Sequence, residues 1–78
     1  MTQVTLDYPF TFKGLKVESL TMRRPTVGDL IAVGKLTDEG EREIMLFTNL
    51  CQVEPDLIKS LDLKDYKKAQ EAYSGFLS

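Results

Sequence analysis

The side chains able to do chemistry in this chain are carboxylates, amines, hydroxyls and a single thiol; among its 78 residues there is no histidine and one cysteine. Without histidine, neither a Ser–His nor a Cys–His nucleophile pair can be assembled. With Cys51 alone, no Cys/His zinc set can be written. The glycines at 14, 28, 34, 40 and 75 are scattered, so no phosphate-cradling loop can be built from them. Asp38-Glu39-Gly40-Glu41 gathers carboxylates but lacks the spacing of a calcium loop. Acid–base work by paired carboxylates stays open on sequence grounds, although helix caps and solvated faces account for most of these acids. The reading is of a protein that is not an enzyme, with no catalytic residue, cofactor or metal.

The remaining polar groups divide between binding and plain structural roles. Lys64, Lys67 and Lys68 could grip phosphate, but a formal net charge of −2 lacks the basic stripe of a nucleic-acid binder and favours a solvated helix flank. Arg23 and Arg24 could fork onto a carboxylate, and an ordinary surface ion pair would explain them equally. Cys51, on an apolar helix face, reads as a small core residue, and a single cysteine fits a reducing cytoplasm. No secretory leader or membrane-spanning run is expected.

These groups must be positioned by a small fold. A chain this short buries roughly 60% of its unfolded surface, so its core is marginal and a partner could complete it. Val4, Leu6, Tyr8, Phe10 and Phe12 alternate with polar residues or Pro9, which predicts a strand with one face buried. Pro9, unable to donate to a ladder, belongs at an edge, a bulge or an unpaired side. Lys13-Gly14 predicts a tight turn. In the return strand Leu15 and Val17 have one parity, Leu20 and Met22 the other. The favoured reading is a bulge at Glu18-Ser19; the alternative covers both faces in part.

Pro25 disfavours a helical Arg24, so period two gives way to helical spacing there. Thr26 is expected to cap the next helix, with Asp29 at the third helical position completing an approximate capping box. That helix is expected over about 27–36, with Val27, Leu30, Ile31 and Val33 making apolar contacts and Gly34 allowing a close approach. Asp38 with Glu41 suggests a second box, and Asp38/Arg42 an i,i+4 pair. The second helix, to about residue 52, carries a wide apolar arc that includes Leu46, Phe47 and Leu50. Pro55 opens a short turn with Leu57, Ile58 and Leu61. Asp62 caps a last helix with Tyr66, Ala69, Gln70, Tyr73, Phe76 and Leu77 along one side. The fold expected is α+β: one domain over 1–78, an N-terminal antiparallel β-hairpin over about 3–23, then three or four short helices over about 26–77.

Three segments in order carry a family resemblance: a two-strand start with a Lys-Gly turn running into Leu20-Thr21-Met22-Arg23-Arg24-Pro25-Thr26-Val27-Gly28-Asp29-Leu30; Glu41-Arg42-Glu43; and Leu61-Asp62-Leu63-Lys64-Asp65-Tyr66. Over nearly the whole chain this resembles the small tail assembly chaperones of Mu-like, contractile-tailed bacteriophages. Arg24 to Leu30 is the most specific piece.

The resemblance implies a non-enzymatic protein of the bacterial host cytoplasm. Such a protein binds the tape-measure protein, keeps it soluble and helps the tail-tube protein polymerise around it, then is absent from the finished tail. It also implies that a longer, frameshifted form could accompany this chain. The partner-binding candidates are Leu46, Phe47 and Leu50 with Tyr73, Phe76 and Leu77, facing a client helix or a second copy of the chain. Arg24, Pro25, Thr26, Gly28 and Asp29 are assigned to the strand–helix joint, and neither nucleic acid nor membrane is expected as a partner. The rival readings are a structural tail-tube or baseplate subunit and a small nucleic-acid-binding regulator.

Overall fold

The computed structural model describes residues 1–78. Two antiparallel strands, β1 (Thr2–Phe12) and β2 (Leu15–Met22), are followed by α1 (Val27–Val33), α2 (Glu39–Cys51), α3 (Pro55–Lys59) and α4 (Leu63–Leu77). This is the expected α+β arrangement of a hairpin and helices. Lys13 and Gly14 both take positive φ, 48° and 81°, as a two-residue I′ turn requires.

The strand pairing corrects one expectation. Thr2 to Thr5 pair with Met22 to Ser19, and Phe10 to Phe12 with Val17 to Leu15. Between these runs β1 has four residues, Leu6 to Pro9, where β2 has only Glu18. The surplus therefore lies in the first strand, around Pro9, rather than at Glu18-Ser19 in the second. Proline cannot donate to the ladder, so the slip falls where the ladder is weakest. It also ends the alternation of β1: Val4 and Leu6 are buried, Tyr8 is exposed, and Phe10 and Phe12 are half-buried.

The core is one cluster drawn from every element: Val4, Leu6, Leu20 and Met22 from the hairpin, Val33 from α1, Leu46, Phe47 and Leu50 from α2, Leu57 and Ile58 from α3, and Ala69 from α4. Phe47 is fully enclosed, and its ring meets those of Tyr66 and Tyr73 at tilted centroid distances of 5.7 and 5.9 Å, the offset arrangement aromatic quadrupoles favour.

Local chemistry fixes the helix ends. Asp38 Oδ2 accepts from the Glu41 amide at 2.9 Å and Asp62 Oδ2 from the Lys64 amide at 3.0 Å, so both expected caps form. The Asp38/Arg42 side-chain pair does not; Arg42 reaches the Leu36 carbonyl and lies 4.0 Å from Glu39. Helix α1 stops at Val33, three residues early, because Gly34 and Leu36 donate to Ile31 and Val33 in tight three-residue turns. A Cβ at Gly34 would meet only the carbonyls of Leu30 and Ile31 in its own helix, so this glycine serves no approach by another element.

Candidate functional site

The strand–helix joint is built around Asp29. Its carboxylate accepts two hydrogen bonds from the Arg23 guanidinium, at 2.7 and 2.9 Å, and a third from the Thr26 amide at 2.7 Å. Arg23, followed by Thr26, holds the carboxyl of Asp29 well below the usual carboxylate range. The Thr26–Asp29 capping box closes, but Asp29 carries it. The Thr26 hydroxyl, expected to accept from a helix amide, instead donates to Asp29 Oδ2 at 3.1 Å, while the Asp29 amide turns to the Thr26 carbonyl.

Arg23 was not assigned to this joint from the sequence, and it is the arginine that matters there. Its own amide donates to the Leu50 carbonyl at 3.1 Å, which satisfies an orphan acceptor in the last turn of α2 and ties the hairpin to that helix. Arg24 stays in the joint through its carbonyl, which accepts from Arg23 Nη1 at 3.4 Å, while its guanidinium turns away to lie 5.8 Å from the centroid of the Phe76 ring. A Cβ at Gly28 would come no closer than 3.6 Å to Thr26 Oγ1, so glycine is not a geometric requirement there.

A second polar anchor also escaped the sequence reading. Asp65 is completely buried, and its two oxygens accept from the amides of Asp7 and Tyr8 at 2.8 and 3.0 Å. Those amides lie in the slipped segment of β1, where the ladder leaves donors without strand partners. Around this clamp, Lys64 and Lys68 reach Asp7 at 3.2 and 3.0 Å, and Lys68 also donates to the Thr5 carbonyl. Hydrogen bonds from Lys68 and then Lys64 lower the Asp7 carboxyl. Two of the three flank lysines thus fasten α4 to β1. Tyr66 donates its phenolic proton to Glu43, which also accepts from Gln70 at 2.7 Å, fastening α4 to α2. Leu61 to Tyr66 therefore supplies a cap, a buried clamp and an inter-helix bond within six residues.

The six partner-binding candidates do not form one surface. Leu46, Phe47 and Leu50 are core, because α2 runs between the hairpin and the other helices and most of its apolar arc is enclosed. Tyr73 and Phe76 are half-buried against that core, while Leu77 is 67% exposed. Cys51 is half-buried and burial pushes its thiol up to about 11, which suits a packing role.

The largest outward apolar feature on a helix lies elsewhere. Helix α1 buries Asp29 and Val33 and turns Val27, Leu30 and Ile31 to solvent, at 73%, 52% and 72% exposure. Spacing of i, i+3, i+4 sets these three on one helical face. The periodicity had marked them as apolar contacts; it could not say that the narrower face, centred on Asp29, would be the buried one. Arg24 over Phe76 brings the end of α4 to the joint from which this stripe starts. An open groove of about 730 Å³ runs between β2 and the α2–α3 connection.

No helix is long and apolar enough to cross a membrane, and no three His, Cys, Asp or Glu side chains gather as a metal site. No curated protein and no solved structure matches the chain. A family model described as phage tail assembly chaperone proteins, E, or 41 or 14, does match, over residues 3–78; spanning all but the first two residues, that match makes the chain a member of the phage tail assembly chaperone family.

Proposed function

We propose that this chain binds the tape-measure protein of its tail, keeps it soluble in the host cytoplasm, and yields it as the tail-tube protein polymerises around it. The observation that carries this reading is the stripe Val27, Leu30 and Ile31, three large apolar side chains left outside a core that had room for few. A long helical client whose apolar stripes stay uncovered until the tube encloses them needs such a surface, and helix-on-helix packing reads it at i, i+3, i+4 spacing. Leu77, exposed at the end of α4 with Phe76 and Tyr73 half-buried before it, offers a separate apolar contact. Each contact is small, so release remains easy, and many copies along one client supply the hold.

Co-expression with the long tail protein tests the proposal: the client is expected to become soluble and to co-purify. Leu30→Ser with Ile31→Ser should abolish co-purification while the melting temperature of the chaperone stays within a few degrees, since both side chains are already exposed. A client that stays soluble with the double variant removes α1 as the binding surface. Recovery of the chain in purified tails would favour a structural tail-tube or baseplate subunit instead.

A further inference from the structure

The hairpin is a two-stranded sheet, so β2 has an outer edge with no strand beside it. Beyond the hairpin ladder, no backbone group of residues 15–20 is hydrogen-bonded to another part of the chain. The groove beside this edge is lined by every residue from Leu15 to Leu20, both parities in succession. A hollow on one face of a strand is lined by alternate residues, so this one follows the backbone edge. Its far wall includes Val53 and Leu57.

Neither proline nor a bulge protects this edge, and its two charges, Lys16 and Glu18, are of opposite sign. Natural edges are blunted by proline, bulges or runs of charge, whereas here Pro9 and the register slip both sit in β1. Leu15 closes the I′ turn with Phe12, a position where the two residues exchange both backbone bonds. Alternation then points the Val17 groups inward to Phe10 and leaves those of Lys16 and Glu18 facing out.

We infer that this edge pairs with the same edge of a second copy, antiparallel about a two-fold axis through Val17. In that register Lys16 exchanges two backbone bonds with the partner's Glu18, and Glu18 two with the partner's Lys16. Each bonded pair sets opposite charges directly across the strands. A shift of one residue opposes outward-facing to inward-facing groups and forms no ladder. A shift of two residues either way sets glutamate against glutamate or lysine against lysine. Charge and hydrogen-bond parity therefore select the same alignment. In the single chain Lys16 and Glu18 already lie 3.4 Å apart on one face, both largely exposed and free to re-pair. The product is a four-stranded sheet with both helical layers on one side, the arrangement a perpendicular two-fold requires. The incoming strand covers Leu15, which is 73% exposed. An interface this small is a weak one, filled only at high local concentration, as when many copies lie along one client.

Sedimentation over a concentration series up to about 1 mM tests the pairing. Wild type is expected to pass from monomer to dimer. Lys16→Glu places glutamates opposite one another and should weaken the dimer by about 10-fold or more. Lys16→Glu with Glu18→Lys restores complementarity and should restore the dimer. Circular dichroism follows the fold of each variant; should Lys16→Glu disturb it, Glu18→Lys gives the same readout with lysines opposed. A wild type that stays monomeric throughout overturns the inference. So does a dimer indifferent to the single charge reversals, or a double reversal that fails to restore it.

Discussion

Asp62 and Asp65 stand three residues apart in one short motif, and the structure gives them opposite sensitivities to the same change. Asp62 caps α4 through one oxygen at the surface, a task asparagine performs about as well, so Asp62→Asn should alter stability by less than about 0.5 kcal/mol. Asp65 uses both oxygens, each accepting a backbone amide at 2.8 or 3.0 Å, in a fully buried site. An asparagine there keeps one acceptor and turns an NH2 toward the other amide, so two donors face each other. The lost bond to a charged acceptor is worth about 1.5–3 kcal/mol, and the donor left unmade keeps its desolvation cost. An expected loss of about 2–4 kcal/mol follows. For a domain of this size each kcal/mol lowers the midpoint by about 4–8 °C, so Asp65→Asn should melt about 6 °C or more below Asp62→Asn. Thermal and urea unfolding of wild type and the two variants measure this. Hydrogen exchange adds a local readout: the amides of Asp7 and Tyr8 should lose protection in Asp65→Asn and keep it in Asp62→Asn. Equal midpoints for the two variants would refute the assignment of Asp65 as the clamp of the slipped strand.

Two further expectations rest on the titrating groups. Because Arg23 lowers the Asp29 carboxyl beneath its ordinary 3.8, the pair's stabilisation is full above that value and is lost as pH falls toward the lowered one; the gap in melting temperature between wild type and Asp29→Asn should be constant from neutral pH to about pH 5 and narrow below 3.8. Burial raises Cys51 from 9.0 to about 11, so alkylation of the native thiol at mildly alkaline pH should run about 100-fold slower than in the urea-unfolded chain, and comparable rates would mean that the thiol is not enclosed.

The local rules of the chain were legible in the sequence. Alternation gave the strands, Lys13-Gly14 the turn, Pro25 the handover to helix, and Asp38 and Asp62 the caps, because each depends on residues within one turn or one strand. The family was legible too, from the order of three short motifs. Reading failed wherever a residue's partner lay far away along the chain. Asp65 looked like one acid among several in a helix opening; its significance appears only when residues 57 and 58 positions earlier arrive with unpaired amides. Arg23 and Arg24 are indistinguishable by type, and their roles diverge because one reaches Asp29 and the other Phe76.

The candidate surface shows the same division most clearly. Helical spacing identified apolar faces on α1, α2 and α4, but periodicity reports which side chains share a face and not which face meets the core. In so small a domain the core is filled first by α2, whose Leu46, Phe47 and Leu50 lie between the hairpin and the remaining helices. Helix α1 is then held from beneath by the Arg23–Asp29 pair and Val33, and its broader apolar stripe is left outside. The sequence by itself determined the elements, their order and the family, since these are written in neighbouring residues. Only the tertiary structure decided which apolar residues are interior and which stay exposed, because burial is a competition among all the faces of the chain for one limited volume.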